Sequence, residues 1–293
     1  MIDRYPIRYF LAVVDHGNFS RAAAQCHVSQ PTLSVGIAKL ERALGTALFE
    51  RSNRRVELTP AGARFAVHAR RIEAEFNQAE RSVHGQDAQA TIRLGMLTTI
   101  PTAWHEALAR ALRPHAATER VEFVEARERD LIDRLARGRI DLALTLVRAE
   151  DDRFVAEPLF DEAYRLALSL DHPLAATSSV PAEALADNVM IARRNCEALA
   201  DTSRHFTARG VRPFFAAKTA NDDRAVALVR AGLGVTVMPA CFAQSGIAMP
   251  ELAGFTLTRT IGLLVAPHAD AARLRATATY GATAALIRSL LQG

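Results

Sequence analysis

Leu33, Ile37, Leu40 and Leu44 recur at intervals of four, three and four residues, the spacing of one buried stripe on an α-helix. That stripe turns Pro31, Thr32, Ser34, Val35, Ala38, Lys39 and Arg42 outward. Ser29 stands where it can cap the helix, with Pro31 in the first turn, where no intrahelical N–H is lost. A shorter helix capped by Ser20 and ending near His27 precedes it, with the turn at Val28. Earlier still, Ile7, Phe10, Leu11 and Val14 share one face of a helix over residues 5–16 that Gly17 ends. Two helices joined by a tight turn, with a third behind them, predict a helix-turn-helix. The same pattern fits a plain helical hairpin, so its surroundings have to decide.

Downstream, Val56 and Leu58 follow a polar turn, Ser52-Asn53-Arg54-Arg55, and read as one strand of a small two-stranded wing. Arg51, Arg54 and Arg55 there would grip phosphate or reach into a minor groove; the bland alternative is a solvated basic loop. Thr59 then caps a long helix that starts at Pro60 and runs to about Gly85. Along it Phe65, Ala69, Ile72, Phe76, Ala79 and Val83 alternate spacings of four and three, a heptad seam that predicts dimerisation; packing on the chain's own domain is the alternative. Polar residues 85–89 form a hinge.

Beyond the hinge, strand and helix patterns alternate, from TIRLGML through DLALTLV, and again from YRLALSL through VTVMP. The chain then returns with IGLLVAP and a terminal helix over residues 271–291. The expected organisation is a winged helix-turn-helix at 1–60, a linker helix and hinge at 61–88, and an α/β domain at 89–293. Its two lobes would comprise residues 89–161 with 267–293, and 162–266, leaving a cleft suited to a small ligand.

Charge sharpens this picture. Residues 1–64 carry nine Lys and Arg against five Asp and Glu, which accounts for the whole formal surplus of +4; the remainder balances at 27 against 27. A surplus confined to the helix-turn-helix is what phosphate contacts need. Gln30, Pro31, Thr32 and Ser34 sit at the N-terminal end of the second helix, from which side chains reach base edges. Cys26, Cys196 and Cys241 are too widely spaced for a disulfide framework or a paired-cysteine zinc site, and no cofactor is expected. The start of the chain lacks the pattern of an export signal and no apolar run reaches membrane-spanning length, so a cytoplasmic location is expected.

The stretch SRAAAQCHVSQPTLSVGIAKLERALGTALFERSNRRVELTPAG, with DLALTL and LVRAGLGVTVMP further on, resembles the LysR-type transcriptional regulators over essentially the full length. The resemblance implies an N-terminal all-α winged helix-turn-helix with a long linker helix, and a C-terminal periplasmic-binding-protein-like domain of two lobes. It further implies a homodimer or homotetramer on double-stranded operator or promoter DNA, with RNA polymerase as a further partner, no membrane and no enzymatic activity. A small-molecule effector in the interlobe cleft would alter DNA bending and so transcription. Gln30, Pro31, Thr32, Ser34 and Lys39, with Arg51 and Arg54 on the wing, carry over as DNA contacts. Gly36 departs from the glutamine common in the family's recognition helix and is read as a packing position.

Candidate effector contacts are polar groups at strand ends: Thr98, Thr99, Arg148, Arg193, Asn195, Cys196 and Asn221. Helix N-termini beside arginines favour a small anion, although Thr99, Cys196 and Asn221 also read as plain helix caps. Cys196 falls where the family's peroxide sensors carry their reactive cysteine, at an expected helix start that would lower its pKa. The sensors' partner cysteine is replaced here by His205, which argues against an intramolecular disulfide. A thiol lining a ligand pocket is the preferred reading, with thiol-based redox sensing the alternative. A thiol enzyme using Cys196 and His205 is disfavoured, because nine residues of helix separate them by about 13 Å.

Overall fold

The computed structural model describes residues 2–51, 56–83, 90–151, 153–243, 246–265 and 270–290; for residues 51, 74, 75, 77–83 and 90 it describes the backbone alone. The chain divides into two compact units, the first comprising Met1–Ala90 with the short segments Ala136–Arg139 and Ala266–Asp270, the second the remainder.

The first unit is built from α1 (Arg4–His16), α2 (Phe19–Gln25), α3 (Gln30–Leu44), β1 (Phe49–Arg51), β2 (Val56–Leu58) and α4 (Pro60–Val83). Ser29 caps α3 as expected, accepting from the Thr32 N–H, while Gly17 and Gly45 end α1 and α3 in the left-handed conformation. The cap of α2 is Asn18 and not Ser20: its carboxamide oxygen accepts from the N–H groups of Ser20 and Arg21. β1 and β2 pair antiparallel, Phe49 opposite Leu58.

Phe10, Leu33, Ile37, Leu40, Leu48 and Phe49 fill the core of this unit, with the Phe10 ring 5.2 Å from those of both Phe49 and Phe65. Here the heptad reading of α4 needs correction. Ala69 is fully buried in this same core, and Phe65 and Ile72, half-buried, pack against it, so these three serve the chain's own domain, the alternative the stripe left open. The flanking charges agree: Glu73 pairs with Arg4 at 2.9 Å, and Arg70 with Asp15 at 2.6 Å, joining α4 to α1. Of the expected seam, Phe76 remains 45% exposed with the Arg4 guanidinium over its ring, while the side chains of Ala79 and Val83 lie outside the described set.

The second unit opens with β3 (Ala90–Leu97), α5 (Thr102–Leu112), β4 (Glu119–Ala126), α6 (Glu128–Ala136) and β5 (Leu142–Leu146). A long β6 (Val155–Ser169) leads into β7 (Ser179–Val180), β8 (Val189–Arg193), α7 (Leu199–Ala208), β9 (Phe214–Thr219), α8 (Asp222–Arg230), β10 (Thr236–Pro239), β11 (Ile247–Ala248) and β12 (Glu251–Leu252). The chain returns through β13 (Thr258–Val265) and ends in α9 (Ala271–Arg275) and α10 (Ala278–Ser289). The expected single terminal helix is therefore two, because Thr277 caps a fresh start by accepting from the Tyr280 N–H.

Strand order in the main sheet is β10-β6-β13-β5-β3-β4, with β11 also on β6. β3 and β5 run parallel, and every residue of β5 is buried, as expected of a strand covered on both faces. β6 and β13 pair antiparallel along most of their lengths and link the two halves of the unit. In the second half β8 pairs parallel with β9, and α7 and α8 pack beside them over cores that include Met190, Phe206 and Val237, and Ile191, Val226 and Phe242.

Candidate DNA interface and effector site

One face of α3 is closed and the other open. Leu33, Ile37 and Leu40 are at most 1% exposed, whereas Gln30, Pro31, Thr32 and Lys39 are exposed and Ser34 is half-buried. Polar groups on the open face are pre-arranged: the hydroxyls of Ser29 and Thr32 lie 2.8 Å apart, and Gln30 Nε2 donates to Ser34 Oγ at 3.0 Å. Val35, 65% exposed between them, is an apolar contact that the sequence reading placed outward but left out of the candidate set. Glu41 ties the helix to the wing by accepting from the N–H groups of Leu48 and Phe49. Arg54 and the Arg51 side chain lie outside the described residues.

Two glycines make this packing possible. A Cβ on Gly36 would stand 2.6 Å from Cδ2 of Tyr9, which supports the packing reading of that position. A Cβ on Gly62 would stand 2.1 Å from the Leu48 carbonyl oxygen, so α4 meets the end of the preceding loop only with glycine there.

In the second unit, residues far apart in sequence converge on Arg259. This side chain, on β13, is 3% exposed and pairs with two carboxylates, Glu162 on β6 and Glu197 just before α7. It also donates to Thr99 Oγ1 at 2.9 Å and to the Thr99 carbonyl oxygen at 3.0 Å. Glu197 in turn accepts from the hydroxyls of Tyr164 at 2.7 Å and Thr99 at 3.1 Å. Burial pushes the Glu197 carboxyl up, but the Arg259 charge and the Tyr164 hydrogen bond more than offset it and hold the group below the usual range. A second buried pair lies alongside: Arg193 grips Asp222 through two nitrogens and donates to the Val237 carbonyl oxygen and to Cys196 Sγ at 3.3 Å.

Of the expected effector contacts, Thr99, Arg193 and Cys196 thus belong to connected buried networks. Arg148 instead makes a two-nitrogen pair with Glu128, Asn195 donates to the Ala220 carbonyl oxygen, and Asn221 caps α8. The Thr98 hydroxyl is buried and has no hydrogen-bond partner among the described residues.

Cys196 needs a correction. The helix begins at Leu199, three residues after it, and Cys196 lies in the preceding turn. Burial pushes its thiol up, Arg193 offsets part of this, and Glu197 adds to the rise, so the pKa moves opposite to the expected direction. His205 sits buried against Phe206 and Phe255 and hydrogen-bonds Arg209.

Glu162, Tyr164, Glu197, Asp222 and Arg259 were absent from the sequence-based set. A signal existed for one of them: Arg259 is the single charge in the apolar strand TLTRTIGLLV, and a buried charge requires a partner.

A helix-turn-helix with an open, polar recognition face, joined in one chain to a two-part α/β unit with polar groups converging at the crossover strands, defines a DNA-binding regulator with an effector-responsive unit. The chain belongs to the LysR family. Residues 6–63 match the bacterial regulatory helix-turn-helix of the lysR family, and residues 85–283 match the LysR substrate binding domain. It is similar to the probable hydrogen peroxide-inducible genes activator of Mycobacterium avium, 36% identical over 269 residues covering 88% of this chain and 86% of that protein. It is also similar to the transcriptional dual regulator OxyR of Escherichia coli, 30% identical over 280 residues covering 89% and 88%. A full-length OxyR variant from Pseudomonas aeruginosa matches the fold with TM-score 0.62 at 25% identity, covering 98% of this chain and 95% of that one. Among the described residues no helix is long and apolar enough to cross a membrane.

Proposed function

We propose that α3 reads operator DNA through Gln30, Pro31, Thr32, Ser34 and Lys39, that Arg51 and Arg54 of the wing add phosphate contacts, and that the regulator works in the cytoplasm as a homodimer or homotetramer. The observation that carries this reading is the two-faced α3, whose buried side packs in the core and whose open side offers donors, acceptors and one apolar contact. Phe76 at the exposed end of the former seam supports self-association, as do Phe214, 73% exposed on β9, and Phe123 on β4. Residues 1–60 would bind DNA, 61–88 would link, and 89–293 would respond to the effector. The reading includes no enzymatic step: Cys196 is held by Arg193, while His205 packs among aromatic rings.

For the input, the Thr98 hydroxyl beside Thr99, without a partner among the described residues, supports a small effector at the crossover strands. Arg148, Arg193 and Arg259 are each paired with a carboxylate of the chain, so an anionic effector would have to displace one of these partners.

The peroxide-inducible relatives, together with a cysteine at Cys196, favour a second reading in which oxidation of this thiol is the signal. Its raised pKa slows that chemistry at neutral pH by keeping the thiolate scarce.

Gel shift of the upstream intergenic DNA, repeated at rising salt, tests the DNA reading, and absence of any retarded fragment at low salt would overturn it. Footprinting of Cys196→Ser with and without peroxide separates the inputs: an unchanged peroxide response removes the thiol reading, and loss of the response removes the effector-only one.

A further inference from the structure

The second half of the α/β unit contains a cavity of its own, set under α7 and apart from the cluster on Arg259. Its volume is about 220 Å³, and Met190, Ile191, Phe206, Val211 and Phe215 are among the apolar residues that line it. Cys196 is among the lining residues, as are Leu199 and Ser203 of α7. It opens to solvent beside Leu199, Ser203 and Arg212, all exposed, while Met190, Ile191, Phe206 and Val211 in its lining are buried, so it is a concave pocket with an apolar floor. We propose that it binds one neutral single-ring aromatic molecule, and that the bound ring covers Cys196.

Size sets the ring count. An apolar cavity of about 150 Å³ lined by aliphatic and aromatic side chains stays dry and takes up benzene, so this one holds a ring with a small substituent. Charge sets the neutrality. The buried cation in the wall, Arg193, already has Asp222, the Val237 carbonyl oxygen and the Cys196 sulfur as partners. Arg212, the other cation at the lining, is exposed, where water and salt screen its charge. An anion drawn into the apolar walls would lose its hydration without a buried cation in exchange. Thr202 and Ser203 give a hydroxyl or carbonyl substituent a partner.

The site is separate from the cluster at the crossover strands, and its test does not depend on which input the regulator uses. Full-length protein is titrated with p-cresol as the neutral probe and benzoate as the anionic one, with calorimetry and thermal unfolding as readouts and with alkylation followed at each cysteine by mass spectrometry. The expected result is one-to-one binding of p-cresol and a higher melting temperature. Alkylation of Cys196 should slow about tenfold near saturation while that of Cys26 is unchanged, and benzoate should bind at least about tenfold more weakly. Leu199→Trp and Ser203→Trp, both at exposed positions of α7, plug the mouth and should each lose p-cresol about tenfold or more while still retarding DNA. Absence of p-cresol binding, binding that leaves Cys196 alkylation unchanged, equal binding in both tryptophan variants, or benzoate binding as tightly as p-cresol would each overturn the proposal. Failure to retard DNA would instead count against the operator reading alone.

Discussion

Replacing Glu197 by Gln removes one charge and almost no volume from the buried cluster on Arg259. In the native cluster one guanidinium, Arg259, faces two carboxylates, Glu162 and Glu197, so the substitution takes the group from one net negative charge to none. The amide oxygen of Gln can keep the bonds from Arg259 and from the Tyr164 hydroxyl. The amide nitrogen then meets Thr99 Oγ1, which already accepts from Arg259 and whose own proton is left without its acceptor. Losing one such bond to a charged acceptor costs about 1.5–3 kcal/mol, and relief of the surplus charge returns part of it, so a net loss of about 1–2 kcal/mol is expected at pH 7. For a unit of this size that corresponds to about 2–8 °C in melting temperature.

The pH dependence gives the sharper check. Glu197 titrates below its ordinary value of 4.5 in the folded protein, so its contribution is fully present above pH 4.5 and is lost as pH falls through the lower, folded value. The gap in stability between native and Glu197→Gln protein should therefore be constant through neutral pH and close in acid. Because the Glu197 charge also raises the Cys196 pKa, the alkylation profile of that thiol should move to lower pH in the variant. Thermal melts across pH 3–8 and per-cysteine alkylation rates supply both readouts. A variant as stable as the native protein at pH 7, or a gap that widens on acidification, would refute the account of this cluster.

Gln30→Ala should relax base preference at one operator position by about 1–3 kcal/mol, whereas Lys39→Ala should weaken all sequences alike and reduce the salt slope by about one, as measured by binding isotherms at several salt concentrations. Gly36→Ala sets a helix-propensity gain of about 1 kcal/mol against a clash with the Tyr9 ring. It should not stabilise the protein by urea unfolding until Tyr9 is itself cut back to Ala. Ala69→Asp should unfold the first unit, since it places a charge in a fully closed core, while Phe76→Asp should leave the fold intact by circular dichroism and weaken self-association in sedimentation. An Ala69→Asp protein that folds normally but is monomeric would restore the heptad reading.

Much of this molecule was legible because its signals are local. The stripe of Leu33, Ile37 and Leu40, the Ser29 cap, Pro60 at a helix start and the apolar run of β5 act through neighbours a few residues away, and each element formed where its pattern said. Heptad spacing in α4 was visible as well, but a stripe says only that a face is buried. Whether Ala69 meets a second copy or α1 of its own chain depends on where the long helix packs, and Phe10 with Phe49 and Phe65 decided that. The Cys196 thiol shows the same limit. Its place in the sequence suggested an activating helix start, yet burial and the nearby Glu197 carboxylate push it the other way.

By itself, then, the sequence determined the class of protein, the helix with one closed and one open face and the order of strands and helices, since periodicity, caps and a surplus of charge in the first sixty-four residues are properties of short stretches. Only the tertiary structure decided which charges meet. Thr99 and Arg259, 160 residues apart, hydrogen-bond to one another, and Arg193 and Asp222 neutralise each other across 29 residues, because the crossover strands and the two α/β halves bring them to one place. Pairing inside a protein is set by distance in space, and no spacing along the chain encodes it.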